Sequence, residues 1–391
     1  MKIKIHSMKT NCIFLELVFA DIICFLNFFQ ASSLLSLAFL LTFFVLLVLA
    51  VKQSKGGKVD KALFSLVLLS VVNVVVNALF SDNAQISFDY FKKLIMFISA
   101  IFFFVIIRDA EIEEVEKKIA FVSGAVIAFL FPFAYFILNI RTMYGRYMTM
   151  GFTNPNFTAF WMLHGFLFAM VAIVRVKRIW LKVVFALIAV LILYISSFTL
   201  ARSLWIPVIV FGVLTLFGLF RKKTTLPAAL IVIVMILPIV FVFLYYSLLK
   251  NEWFMNTFSF MASEGKGLDS RTLVWDFALE KLQNGWIIGD YAGISHGTGA
   301  SQMHNTHLDV LCSYGIVPLG LFIYILSCVG IEINRTSESF EQYVSLCAFL
   351  AVILFGMFEA ALVSGCLGLN YLTGAFLILA KPTVRENTRL N

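Results

Sequence analysis

The amino-acid sequence reads as an all-α, polytopic membrane helix bundle of about twelve transmembrane helices, with one long hydrophilic loop containing short helices. Three features lead there. Of 391 residues, 61% are hydrophobic and 13% are charged, whereas a soluble chain carries about 25% charged residues. Mean hydropathy is +0.96. The apolar residues also come in runs close to the roughly 20 needed to cross a hydrocarbon core. This composition excludes a water-soluble enzyme, a nucleic-acid-binding domain and a disordered protein.

The runs predict crossings near 12–30, 32–51, 62–80, 94–107, 119–139, 157–174, 183–199, 204–220, 226–248, 308–330, 343–362 and 366–380. The whole chain, 1–391, is thus one integral membrane domain, and the long loop spans 249–303. No internal repeat of the kind that builds inverted-repeat transporters is visible. If the N-terminus is cytoplasmic, 21 of the 30 Lys and Arg fall on the cytoplasmic side and nine on the other. Cytoplasmic loops carry the excess of basic residues, so both termini are expected inside and the loop outside. The net charge of +8 then suits loops facing anionic headgroups rather than nucleic acid. Lys2, Lys4 and Lys9 precede the first apolar run as in a signal peptide, but no small-residue cleavage site follows, and the orientation keeps that segment. All six Cys lie in or beside apolar runs, with neither disulfide nor metal spacing.

The outer side gathers the residues suited to chemistry. Arg202 sits in Ala201-Arg202-Ser203-Leu204-Trp205 between two apolar runs with almost no loop. It reads either as an Arg snorkelling from a helix end or as a cation binding an anion through its planar fork. In the long loop, Asp269 is placed to cap a helix from Ser270 through Leu279, with Val274, Ala278 and Leu282 on one apolar face lying on the membrane interface. Arg271 near its start is either a solvated surface residue or a second anion ligand. Arg141 and Arg146 precede Gly151-Phe152-Thr153-Asn154-Pro155-Asn156, a turn and helix start whose amides could also contact a sugar.

His304 and Asn305 open the crossing that follows the loop. The positive end of a helix dipole attracts anions and favours an uncharged imidazole, the form a general base needs. A simple cap with a water-facing His is the plainer alternative. A metal site from His296, His304 and His307 fits no strong ligand spacing. Four carboxylates, Glu16, Asp21, Asp309 and Glu359, fall within or beside apolar runs, where ionisable groups are costly and face a bundle interior. They read as interhelical partners, as part of an acceptor site, or, in a transporter, as a proton relay.

The order of these pieces resembles the O-antigen ligase and O-antigen polymerase family of bacterial surface-polysaccharide enzymes. The matching strings are Ala201 to Trp205, Ser270-Arg271-Thr272-Leu273-Val274-Trp275, and His304-Asn305-Thr306-His307-Leu308 running into Gly315-Ile316 and Leu319-Gly320-Leu321. Gly151 to Asn156 resembles the family's Asn-Pro-Asn segment. The best part covers about 200–325; elsewhere the likeness is in hydropathy and topology. His307 stands where the family often has an aromatic residue, Ala201-Arg202 replaces a Ser-Arg pair, and Asn284-Gly285-Trp286 replaces a Pro-rich approach.

The resemblance implies a metal-independent, inverting glycosyltransferase in the bacterial inner membrane with its site facing the periplasm and no cofactor. Its donor would be a glycan on undecaprenyl diphosphate, its setting the lipid bilayer, and its neighbours a chain-length regulator and a flippase of the same pathway. Arg202 and Arg271 would bind the diphosphate and His304 would act as general base. Arg146, Asn156, Asn305 and His307 would orient substrate. A polymerase would extend a lipid-linked glycan, and a ligase would move it to lipid A–core. The competing class is a multi-pass transporter or flippase. The compact length and high Phe content look more typical of the family's polymerases.

Overall fold

The computed structural model describes residues 57–79, 84–145, 147–152, 154–221, 224–249, 251–257, 272–290, 303–360, 362 and 369–383. The predicted crossings at 12–30 and 32–51, together with Glu16, Asp21, Arg146, Asp269, Arg271 and His296, lie outside the described residues. The described chain is an all-α bundle. Its helices are α1 (Lys58–Leu79), α2 (Ala84–Asp109), α3 (Glu114–Phe136), α4 (Pro155–Arg175), α5 (Ile179–Ser197), α6 (Trp205–Arg221) and α7 (Ala228–Leu249). They continue as α8 (Glu252–Thr257), α9 (Thr272–Gly285), α10 (Thr306–Tyr314), α11 (Ile316–Arg335), α12 (Phe340–Phe355) and α13 (Leu369–Ala380). A two-residue hairpin, β1 (Met143–Tyr144) with β2 (Tyr147–Met148), precedes α4, and a 3-10 turn, Arg202–Leu204, precedes α6.

Seven of the described helices are long and apolar enough to cross a membrane: α1, α3, α4, α5, α6 with its 3-10 turn, α7 and α11. With these helices the chain is a multi-pass membrane protein. Its periphery agrees. Leu187, Val190 and Tyr194 on α5, Ile209, Val213 and Phe220 on α6, and Ile233, Phe243 and Leu244 on α7 are all exposed. Apolar surface of that extent is foreign to a soluble monomer and matches lipid.

Helix α12 is the axis. From Gln342 to Phe355 every residue is buried, because the helix is apolar all round and has α4, α6, α7 and α13 packed against it. Lipid is as apolar as Leu, so such packing rests on close fit rather than on hydrophobic transfer. Gly218 on α6 shows the fit: a Cβ there would lie 2.2 Å from the Tyr343 ring of α12. Ser339 caps α12 and forms a capping box with Gln342.

Several boundaries differ from the sequence reading. The predicted crossing at 308–330 is two helices, α10 and α11, divided at Gly315. There φ is 89° and ψ 179°, a region essentially restricted to Gly, and a Cβ would come 1.8 Å from the Ile287 carbonyl oxygen. An apolar run gives no sign of such a break. The predicted crossing at 94–107 is the core of the longer α2, so Lys93, read as loop, lies inside a helix and is buried. The run at 343–362 ends as a helix at Phe355, and Glu359 follows in a turn. The apolar face of the loop helix α9 turns inward: Trp275, Ala278 and Leu282 are buried in the core cluster, and Trp275 packs edge-on against Phe241 and Tyr245 of α7.

Candidate functional site

The site lies where α4, α10 and the turn after α12 meet. Asn154 caps α4 by accepting the Asn156 N–H at 2.8 Å, with Pro155 in the first helical position, where a missing N–H costs nothing. That local fold places the Asn156 side chain at the helix start. The side-chain amide of Asn156 donates to Glu359 Oε1. The other carboxylate oxygen, Oε2, lies 3.1 Å from His304 Nδ1. Glu359 is fully buried, while the His304 side chain keeps 29% of its surface exposed. With Glu359 ionised, His304 Nδ1–H donates to Oε2. In that tautomer Nε2 is the basic ring nitrogen; among the described residues no hydrogen bond engages it.

Neighbouring backbone is arranged to hold this pair. His304 itself is left-handed, with φ of 49°, a conformation that costs a non-Gly residue about 1–2 kcal/mol. Asn305, the cap of α10, accepts from the N–H groups of His307 and Leu308 at 3.0 and 2.9 Å. Its own amide donates to the carbonyls of Pro238 and Met357 at 2.7 and 3.1 Å. Thr306 N–H donates to Gly356 O at 2.8 Å, and its hydroxyl donates to Glu359 O at 3.0 Å. Gly356 is needed for that approach, since a Cβ would sit 2.9 Å from Thr306 Oγ1. The segment after α12 is thus laced to the start of α10 through both side chain and backbone.

His307 does not join the pair. Its ring is fully buried, its Nε2–H donates to Met235 O at 2.7 Å, and it packs 5.3 Å from the Phe322 ring. The reason lies in α7, where Pro238 interrupts the helical ladder. Around that proline the carbonyls of Met235 and Pro238 accept from His307 and Asn305, in a region where polar groups find no water. His307 therefore binds the bundle to itself.

Arg202 opens the 3-10 turn between α5 and α6 and is exposed. The antiparallel hairpin of α4 and α5 brings the end of α5 beside the start of α4, and the turn packs against α4. The β-hairpin is tied to the same end, with Met148 N–H donating to Phe198 O at 3.1 Å. Leu200, two residues before Arg202, is left-handed like His304, with φ of 52°. Arg202 therefore stands at the end of the bundle that carries Asn156, His304 and Glu359. The opposite end is closed by other charges: Arg175 pairs with Glu341, and Lys381 donates to the carbonyls of Ile107, Arg108 and Ala110. Arg141 lies over the Tyr135 ring, 4.4 Å from its centroid.

Of the residues singled out from the sequence, the structure joins Asn156 and His304 through the two oxygens of one carboxyl group and sets Asn305 beside them as scaffold. It adds Glu359 as the group between them. Sequence marked Glu359 as a carboxylate in an apolar stretch, but not its partner. Chemically the arrangement is a partly exposed imidazole on a buried carboxyl group, with an exposed guanidinium at the same end of the bundle. Together the fold and this cluster define a multi-pass helical membrane protein with a buried carboxyl group hydrogen-bonded to a partly exposed imidazole. No protein-family model and no curated protein matches the chain.

Proposed function

We propose that the chain is a membrane glycosyltransferase that polymerises undecaprenyl-diphosphate-linked repeat units into O-antigen or capsular polysaccharide. In this reading about twelve helices cross the bacterial inner membrane, both termini are cytoplasmic, and the loop at 249–303 and the His304 pocket face the periplasm. The single observation carrying the proposal is the His304–Glu359 contact, at 3.1 Å, on an imidazole side chain that stays 29% exposed. Oriented imidazole bases of this kind remove a proton from an attacking hydroxyl.

The steps follow from the residues. His304 Nε2 takes the proton of the acceptor sugar hydroxyl as its oxygen attacks the anomeric carbon of the donor. The bond from that carbon to the phosphate oxygen breaks on the opposite face, and the configuration inverts. Undecaprenyl diphosphate leaves carrying the bonding pair. Arg202 and Arg271 stabilise the charge growing on the diphosphate, as fixed cations do for developing anions. Asn156, Arg146 and Asn305 help orient substrate, Asn305 by holding the start of α10. Chain-length regulator and flippase partners belong to the same reading.

The polymerase is preferred to the ligase on the family likeness. Deleting the gene separates them: a lost polymerase leaves core bearing one repeat, and a lost ligase leaves bare core. Within either, His304→Ala, Arg202→Ala and Arg271→Ala, each inserted normally in the membrane, are expected to abolish the surface-glycan ladder on a gel. A normal ladder from all three removes the mechanism.

A further inference from the structure

One residue before His304, an ion pair closes around the backbone of Met303. Lys93 Nζ on α2 donates to Asp309 Oδ1 on α10 at 2.8 Å, with side chains 3% and 0% exposed. The same oxygen accepts the Met303 N–H at 3.1 Å. Met303 O in turn accepts the indole N–H of Trp275 at 2.8 Å. Both polar groups of the Met303 peptide backbone are therefore fixed by side chains from other parts of the chain. The next residue is His304, held left-handed.

A buried ion pair is weak support for stability, because desolvating both ions offsets their attraction. In a lipid-embedded bundle such a pair marks function or geometry. A strut between α2 and α10 would need only Lys93 and Asp309. The second bond on Asp309, from the Met303 amide, is the feature a strut does not require. Asp309 reaches back past the cap at Asn305 to secure the residue just before His304. Without that anchor the 303–304 turn is free to relax toward ordinary backbone, and the His304 ring would swing from Glu359.

We infer that Lys93 is a positioning residue for His304, fixing the Asp309 carboxylate that pins the Met303 amide and keeps the imidazole on Glu359. The inference deepens the general-base role proposed above and rests on it for its effect on turnover. Its structural half stands apart. Lys93 never touches substrate; it acts through two intermediaries.

The test uses the full chain in lipid nanodiscs with 15N-labelled histidine. The sequence has five His, and His304→Gln identifies the His304 resonances by difference. In the wild type His304 is expected to show the Nδ1–H tautomer. Lys93→Met is expected to lose that signature and to lower turnover about 10²-fold, the cost of misplacing a reacting group by about 1 Å, with donor KM changed less than about threefold. The double variant Lys93→Met/Asp309→Leu removes both charges together and so avoids an orphaned buried ion. It is expected to lose the signature too, since Met303 N–H has no acceptor.

A folded Lys93→Met or double variant that keeps the wild-type His304 resonances overturns the inference. Two combined outcomes separate it from the function it rests on. Resonances moved by Lys93→Met, with transfer indifferent to His304→Gln, leave the positioning intact and sink the general base. Transfer abolished by His304→Gln, with spectrum and turnover both unchanged in Lys93→Met, sinks the positioning alone.

Discussion

The imidazole of His304 and the carboxylate of Glu359, 55 positions apart in the chain, meet at 3.1 Å through Nδ1 and Oε2. The contact joins the start of α10 to the turn that follows α12. With the carboxylate ionised, the contact selects the Nδ1–H tautomer and leaves Nε2 as the basic ring nitrogen.

Glu359→Gln keeps the size of the side chain and removes its charge. The amide can present either end to Nδ1, so the tautomer is no longer imposed. Transfer turnover is expected to fall by up to about 10⁴-fold, the loss found when the acid behind a catalytic imidazole is neutralised. Donor binding should stay near wild type. The check is steady-state transfer kinetics on purified protein, and an unchanged turnover would remove Glu359 from the mechanism.

The two histidines three residues apart should behave in opposite ways. His304→Ala removes a partly exposed ring and is expected to melt close to the wild type while losing transfer. His307→Ala strips a donor from the Met235 carbonyl and leaves a cavity beside Phe322. Its cost is about 2–4 kcal/mol of stability. Thermal melts in detergent, run beside transfer assays, separate the two.

Gly315→Ala tests the break between α10 and α11. Both the backbone conformation and the space beside Ile287 O exclude a Cβ. A loss of at least ~2 kcal/mol is expected, read as a lower melting temperature. A variant as stable as the wild type would mean that α10 and α11 form one continuous helix.

Asn305→Ala loses a helix cap and leaves the carbonyls of Pro238 and Met357 without their donor. Asn305→Ser retains a capping oxygen and loses only those donors. Melting should rank wild type above Ser and Ser above Ala, with the last step worth about 1 kcal/mol.

The membrane bundle was legible because its cause is local: apolar runs of crossing length and scarce charge survive without knowledge of any neighbour. So were the helix starts at Pro155 and Thr306, where Asn precedes an apolar run. Glu359 was visible as a carboxylate in the wrong solvent, yet its partner was not, since only the packing of α12 against α4 and α7 brings it to His304 and Asn156. Lys93 read as loop because it follows Lys92, and a pair of lysines looks solvated until Asp309 is found opposite. The inward face of α9 was misread as interfacial for a similar reason. Trp275, one residue from Val274, decides the direction through its indole N–H, and its acceptor lies 28 positions away.

The central claim is that an oriented His304 deprotonates a sugar hydroxyl while a polyprenyl diphosphate departs. Purified protein in nanodiscs, given a lipid-diphosphate-linked repeat unit in the presence of a metal chelator, tests it most directly. The expected result is a lengthened glycan together with free undecaprenyl diphosphate, both lost in His304→Ala. Folded wild-type protein that yields neither product, or a His304→Ala variant that yields both at the wild-type rate, would contradict it.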